Sequence, residues 1–334
     1  MKLDVFNHIL PKAYFERLVD IIPDRGMLDR YPKLPTLWDI DAHLAMMDEF
    51  DDYSQVLSLA NPPLEMLAGP DESPALARLA NDGMAALCHD YPDRFPAFAA
   101  SLPMNNADAA VAEAERAVTE LDARGVQVFT SVLGKPLSSP EFQPLFDAMA
   151  GHDLPIWVHP IRGPNFPDYA TEDRSEHEIW FTFGWPYETS ACMMRLVYSG
   201  LFDRLPGLKI ITHHMGGMIP FFANKISLGF AQLFDGDAGH NPLAEHAGLK
   251  HQPLHYFHLL YGDTALNGSA AATACGHDFF TTGHSLFATD APFDCNGGRD
   301  LIQGTLAALD ALPVTAEERA AIYSDNTRRL LNLA

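Results

Sequence analysis

The chain has 334 residues, 47% of them hydrophobic, and carries 44 acidic against 22 basic side chains, a formal net charge of -22. That surplus of acid repels nucleic acid and anionic membrane surfaces, and no apolar run approaches the ~20 residues that a membrane span requires. Cys88, Cys192, Cys275 and Cys295 are widely spaced and form no CxxC pair, which argues against a zinc knuckle or a disulfide framework and suits a reducing cytoplasm.

The first predicted element is a strand over residues 2–8, entered directly from the N-terminus with no signal-peptide pattern. Alternation sends Asp4, Phe6 and His8 to one face and Val5 and Asn7 to the other. Residues 10–50 hold several prolines and read as an irregular insertion that ends in a helix. Further strands follow over 53–59, 95–102, 126–130, 155–160, 208–213, 256–261 and 285–289, most of them short and apolar as strands buried on both faces are. Between them lie helices over 73–90, 107–124 (ended by Gly125), 140–152 and 186–203, with a long loop over 161–182. Eight strands alternating with helices, undivided by any low-complexity linker, predict an α/β (β/α)8 TIM barrel with a small irregular insertion after the first strand, in one domain over 1–334.

Chemistry in such a barrel sits where the strands end. His8 follows the first predicted strand, His159 the fifth, His213 and His214 the sixth, and Asp290 the eighth. One histidine at a strand end is more often structural than functional. Four strand ends bearing imidazole or carboxylate point to a metal or acid–base site.

Five stretches carry a resemblance to a known family. They are Leu3-Asp4-Val5-Phe6-Asn7-His8 with Pro11; Trp157-Val158-His159-Pro160; the run from Gly200 to Ile211; His214-Met215-Gly216-Gly217 with Pro220; and the run from Leu286 to Phe293. Together they resemble the amidohydrolase-2 group of the amidohydrolase superfamily, and within it the decarboxylases related to aminocarboxymuconate-semialdehyde decarboxylase and γ-resorcylate decarboxylase. The resemblance implies one divalent metal, zinc or manganese, held by His8, His159 and Asp290, with His214 and Asp290 as catalytic residues. It also implies a homodimer or homotetramer, and places Trp185 and Lys225 near the substrate.

Phe6 departs from that pattern, because it occupies the place of a usual metal ligand and a phenyl ring cannot coordinate. Three readings stay open: a metal on His8, His159 and Asp290 with water or substrate completing the site; a neighbour such as His214 or Asp4 moving in; or a metal-free acid–base cluster. Alternation lets only one of His213 and His214 face the barrel centre, and His214 is chosen because the glycines after it allow a tight turn. His251, His255 and His258 read as surface or loop residues, as does His177, while Asp263 follows the predicted seventh strand and lies near the pocket. Phe6 and aromatic residues such as Trp185 supply apolar walls for a flat substrate.

The leading expectation is a carboxy-lyase acting on a small aromatic or unsaturated carboxylic acid. A proton from Asp290, its pKa raised by a dry pocket, would replace the carboxyl group. The alternatives are a hydrolase of a lactone, amide or related ring, and a metal-free member that binds a small acid without turnover.

Overall fold

The computed structural model describes residues 1–22, 29–234 and 248–333. Its eight barrel strands are Lys2–Asp4, Tyr53–Leu57, Ala97–Phe98 continued by Ala100–Ser101, Val126–Phe129, Ile156–His159, Ile210–Thr212, Tyr261–Asp263 and Ser285–Leu286. Each strand runs parallel to the next. The third strand changes neighbours in mid-course: Ala99 N donates to Leu57 O on one side, and Ala100 N to Gly125 O on the other. The ring closes through Val5 N to Phe287 O (2.8 Å) and Asp290 N to Phe6 O (3.0 Å), which join the ends of the eighth and first strands. The expected (β/α)8 architecture is therefore present.

Local sequence explains the elements between the strands. The helix Ile40–Met47 starts where Asp39 accepts from Asp41 N, and Ala107–Glu120 where Asn106 accepts from Ala109 N. Both are side-chain N-caps for otherwise unpaired amides. The insertion after the first strand is more ordered than expected, with helices Lys12–Ile21 and Ile40–Met47 and two 3-10 turns between them. Residues 23–28 of that insertion lie outside the described residues.

Several expected boundaries move, among them the following. The first strand stops at Asp4, whose carboxylate accepts from Phe6 N in a local turn, so Phe6 and His8 follow a bend and are not strand residues. The predicted seventh strand over 256–261 is instead the end of a short helix, Pro253–Phe257, with proline in its first turn; the strand follows at Tyr261–Asp263. The helix expected to run to residue 124 ends at Glu120. Gly125 immediately precedes the fourth strand at φ +147°, where a Cβ would stand 2.3 Å from Pro155 O.

Inside the ring, Leu3, Val56, Ala97, Trp157, Ile211 and Leu286, drawn from six strands, form a buried cluster. Trp157 reaches across the ring, its indole N–H donating to Val5 O at 2.9 Å. It is interior packing and not a pocket wall, and it floors the end of the barrel at which Phe6 and His8 stand.

Candidate active site and metal centre

His8, His159, His213 and Asp290 each offer one ligand atom, and these atoms all lie within 4.8 Å of one another. Asp290 is the hub. One carboxylate oxygen lies 3.0 Å from His8 Nε2 and 3.6 Å from His213 Nε2, and the other lies 3.7 Å from His214 Nε2. Asp290 itself takes a left-handed backbone, φ +64°, which aspartate tolerates better than most residues.

Both neighbouring histidines reach the centre, contrary to the alternation argument. The sixth strand ends at Thr212, and His214 and Met215 then adopt left-handed conformations (φ 55° and 50°), followed by Gly216 and Gly217 at φ 71° and 63°. Four consecutive positive φ values turn the chain so that the two imidazoles stack at 3.7 Å between centroids. Asp263, the last residue of the seventh strand, fixes this turn. It accepts from His213 Nδ1 at 2.7 Å, from His214 N at 3.0 Å and from Ala265 N at 3.2 Å.

The other two imidazoles are also anchored through Nδ1. His159 Nδ1 donates to Pro160 O at 2.7 Å. His8 Nδ1 lies 3.4 Å from Ser58 Oγ, whose own proton is donated to Asn7 O. In all three the Nε2 nitrogen is left to face the centre, the arrangement typical of metal-binding histidines. Asn7 points away, its amide donating to Asp4 O and Val56 O.

Burial would raise the Asp290 carboxyl, but the imidazoles of His213, His214 and His8 hold it well below the usual carboxylate range. The expectation of a raised Asp290 pKa is thus reversed, because three nitrogens converge on the carboxylate. Burial, helped by the neighbouring imidazoles, pushes His159 well below its ordinary value and His214 down as well. Burial also opposes charge on His213, yet the carboxylates of Asp263 and Asp290 prevail and raise it to about 9. A divalent cation would take the place of that proton. Three imidazoles and a carboxylate, with His213 Nε2 buried and lacking a hydrogen-bond partner, suit zinc or manganese.

Aromatic rings frame the cluster. Phe6 is fully buried, with ring centroids 4.1 Å from His213, 5.5 Å from His8 and 5.7 Å from His159. Trp185 meets His159 edge-on at 5.4 Å and is held by its indole bond to Arg162 O and by Phe181 at 4.7 Å. Phe129 and Phe293 each approach an imidazole at 5.3 Å; the sequence assigns neither a role at the site, although Phe293 ends one of the family-like stretches. Lys225 stands exposed on the helix Ile219–Phe234, and among the described residues no hydrogen bond or ion pair joins it to the cluster. His177 is an exposed loop residue, and His258 stacks on Phe279.

The chain as a whole is similar to known proteins. The 2-amino-3-carboxymuconate-6-semialdehyde decarboxylase of Dictyostelium discoideum is 30% identical over 62% of this chain and 56% of its own length. The chain thus spans a little over half the length of that relative. The γ-resorcylate decarboxylase of Rhizobium sp. (strain MTP-10005) is 30% identical over 88% of this chain and 87% of its own. The crystal structure of dihydroxybenzoic acid decarboxylase from Polaromonas sp. JS666, with bound manganese and the inhibitor 2-nitroresorcinol, superimposes with a TM-score of 0.81. It is 26% identical and is covered over 96% of its chain and 99% of this one. The amidohydrolase family model matches residues 7–333, and the chain belongs to the amidohydrolase family.

Proposed function

We propose that this chain is a metal-dependent decarboxylase of a small aromatic or unsaturated carboxylic acid. The observation that carries the reading is the meeting of one carboxylate, Asp290, with imidazoles from the loops that follow the first and sixth strands, beside the anchored imidazole of His159. Relatives named for decarboxylation of a muconate semialdehyde and of hydroxybenzoates support it.

His8, His159 and Asp290 would hold one divalent cation, zinc or manganese, which when bound supplies a Lewis acid for a carboxylate and a neighbouring hydroxyl or carbonyl oxygen. The remaining work falls to the chain. Trp185, beside His159, would serve as a wall for a flat substrate, and the buried Phe6 would keep water from the inner side of the cluster. Lys225 is the candidate for meeting a substrate anion from outside. Asp290, ionised at rest, receives a proton through His214, the more exposed of the two neighbouring histidines, and delivers it to the carbon bearing the carboxyl group. A new C–H bond forms, the bond to the carboxylate breaks with its electron pair returning to the ring, and carbon dioxide leaves.

Three further attributes belong to this reading: one domain over 1–334, a homodimer or homotetramer, and a cytoplasmic place. The exposed Phe221 and Leu228, seven residues apart on one helix, support self-association. The cysteines, none of them in a disulfide among the described residues, suit a reducing compartment; no helix of the described residues is long and apolar enough to cross a membrane.

The test is a panel of hydroxybenzoic and unsaturated acids labelled with carbon-13 in the carboxyl group and offered to manganese-loaded protein. Release of label as carbon dioxide supports the reading. Uptake of oxygen-18 from water into a ring-opened product, without release of label, would make the chain a hydrolase instead.

A further inference from the structure

Phe6 stands among the ligand-bearing side chains and offers no donor, so three groups, His8, His159 and Asp290, leave the inner side of the centre without a protein ligand. Of the three imidazoles around Phe6, His213 is the nearest, at 4.1 Å between ring centroids. Three observations single it out. Its Nδ1 is committed to Asp263 at 2.7 Å, and the other Asp263 oxygen is held by His214 N and Ala265 N, so the ring cannot turn freely. Its Nε2 is buried and has no hydrogen-bond partner, an expensive condition for a polar atom unless something is meant to meet it. That same Nε2 points at the Asp290 oxygen that also faces His8.

We propose that His213 is a metal ligand and takes over the coordination position that Phe6 vacates, giving a centre of three imidazole nitrogens and one carboxylate oxygen. The inference rests on the reading of the site as a metal centre and goes beyond it by assigning the fourth ligand. Asp263 is then a positioning residue, holding the Nδ1–H tautomer so that the Nε2 lone pair faces the cation. The left-handed turn from His214 to Gly217 has a purpose on this account: it lets His213 serve the metal while His214 remains beside Asp290 for proton transfer.

The test uses the full chain loaded with Mn2+. Equilibrium dialysis with elemental analysis gives stoichiometry and Kd, and pulsed electron paramagnetic resonance on protein labelled with nitrogen-15 histidine counts the coordinated imidazoles. The expected result is one ion per chain with three imidazole nitrogens. His213→Ala should weaken binding at least ~100-fold, beyond what loss of an outer-shell partner costs, and Phe6→Glu in the His213→Ala background should recover most of it. Two coordinated imidazoles in the unaltered protein, or unchanged affinity in His213→Ala, would overturn the assignment while leaving the metal centre standing. Absence of any stoichiometric ion in the unaltered protein would overturn both together. The imidazole count decides the matter even if the variants do not fold.

Discussion

His8 Nε2 and Asp290 Oδ1 lie 3.0 Å apart although 282 residues separate them in the chain. The backbone makes this pairing firm: His8 N donates to Ala291 O and Asp290 N to Phe6 O, so the loops after the first and eighth strands are laced together around the two side chains. Asp290→Asn keeps the volume but removes the charge that three imidazoles share. Turnover should fall by about 10³-fold, within the range expected for loss of a positioned proton carrier, while the far-ultraviolet circular dichroism remains that of the native protein. Full activity with normal metal content in this variant would remove Asp290 from the mechanism.

Phe6 packs against three imidazoles and is wholly buried. Its truncation leaves a cavity that the anchored histidines cannot fill. Phe6→Ala should cost about 3–5 kcal/mol in chemical denaturation, and a loss under about 1 kcal/mol would show that the ring is not part of the packed floor.

Trp185 touches His159 at 5.4 Å without bonding to any member of the cluster. As the proposed wall for an aromatic substrate it would contribute binding and little chemistry. Trp185→Ala should raise KM by roughly 3–10-fold, the equivalent of one aromatic contact, with kcat changed less than KM. Steady-state kinetics reads the split, and a fall in kcat alone would point to a different role.

Asp4 is buried away from the cluster and takes four hydrogen bonds, from Phe6 N, Thr289 N, Tyr53 Oη and Thr289 Oγ1. Burial outweighs these bonds and raises its carboxyl to about 7, against about 3.9 in an unfolded chain. Between those values the native state keeps a proton that the unfolded state has released. Stability contributed by Asp4 is therefore full below about pH 4, declines as pH rises to about 7, and is level above that. Glu65, which burial also raises to about 7, adds a slope of the same sign. The difference between the parent and Asp4→Asn in denaturant titrations from pH 4 to 8 isolates the Asp4 share. Asparagine mimics the protonated acid, so the parent should lose stability relative to the variant across this window, and a flat difference would contradict the assignment.

Much of this was legible in the sequence because short, doubly buried strands announce themselves as apolar runs, and their ends carried His8, His159 and Asp290. The pair His213 and Asp263 was not legible for two reasons. Alternation holds only while a strand continues, and the sixth strand stops at Thr212 before four left-handed residues swing both histidines inward. The seventh strand was expected too early, since Tyr256 and Phe257 look like strand residues but belong to a helix begun by Pro253. That expectation leaves Asp263 in a loop, whereas it ends the strand. Phe129 carries no signal beyond being aromatic and Phe293 only its place at the end of a family-like stretch, and the closed ring is what brings both to the imidazoles.

Carbon dioxide release from this protein should depend on bound metal. Protein stripped with a chelator and then reloaded with Mn2+ or Zn2+ is offered a hydroxybenzoic acid that the unstripped protein consumes, and evolved carbon dioxide is measured against acid lost. One carbon dioxide should appear per acid consumed, with release abolished by stripping and restored by one ion per chain. Equal release from stripped and reloaded protein, or consumption of the acid without carbon dioxide, would contradict it.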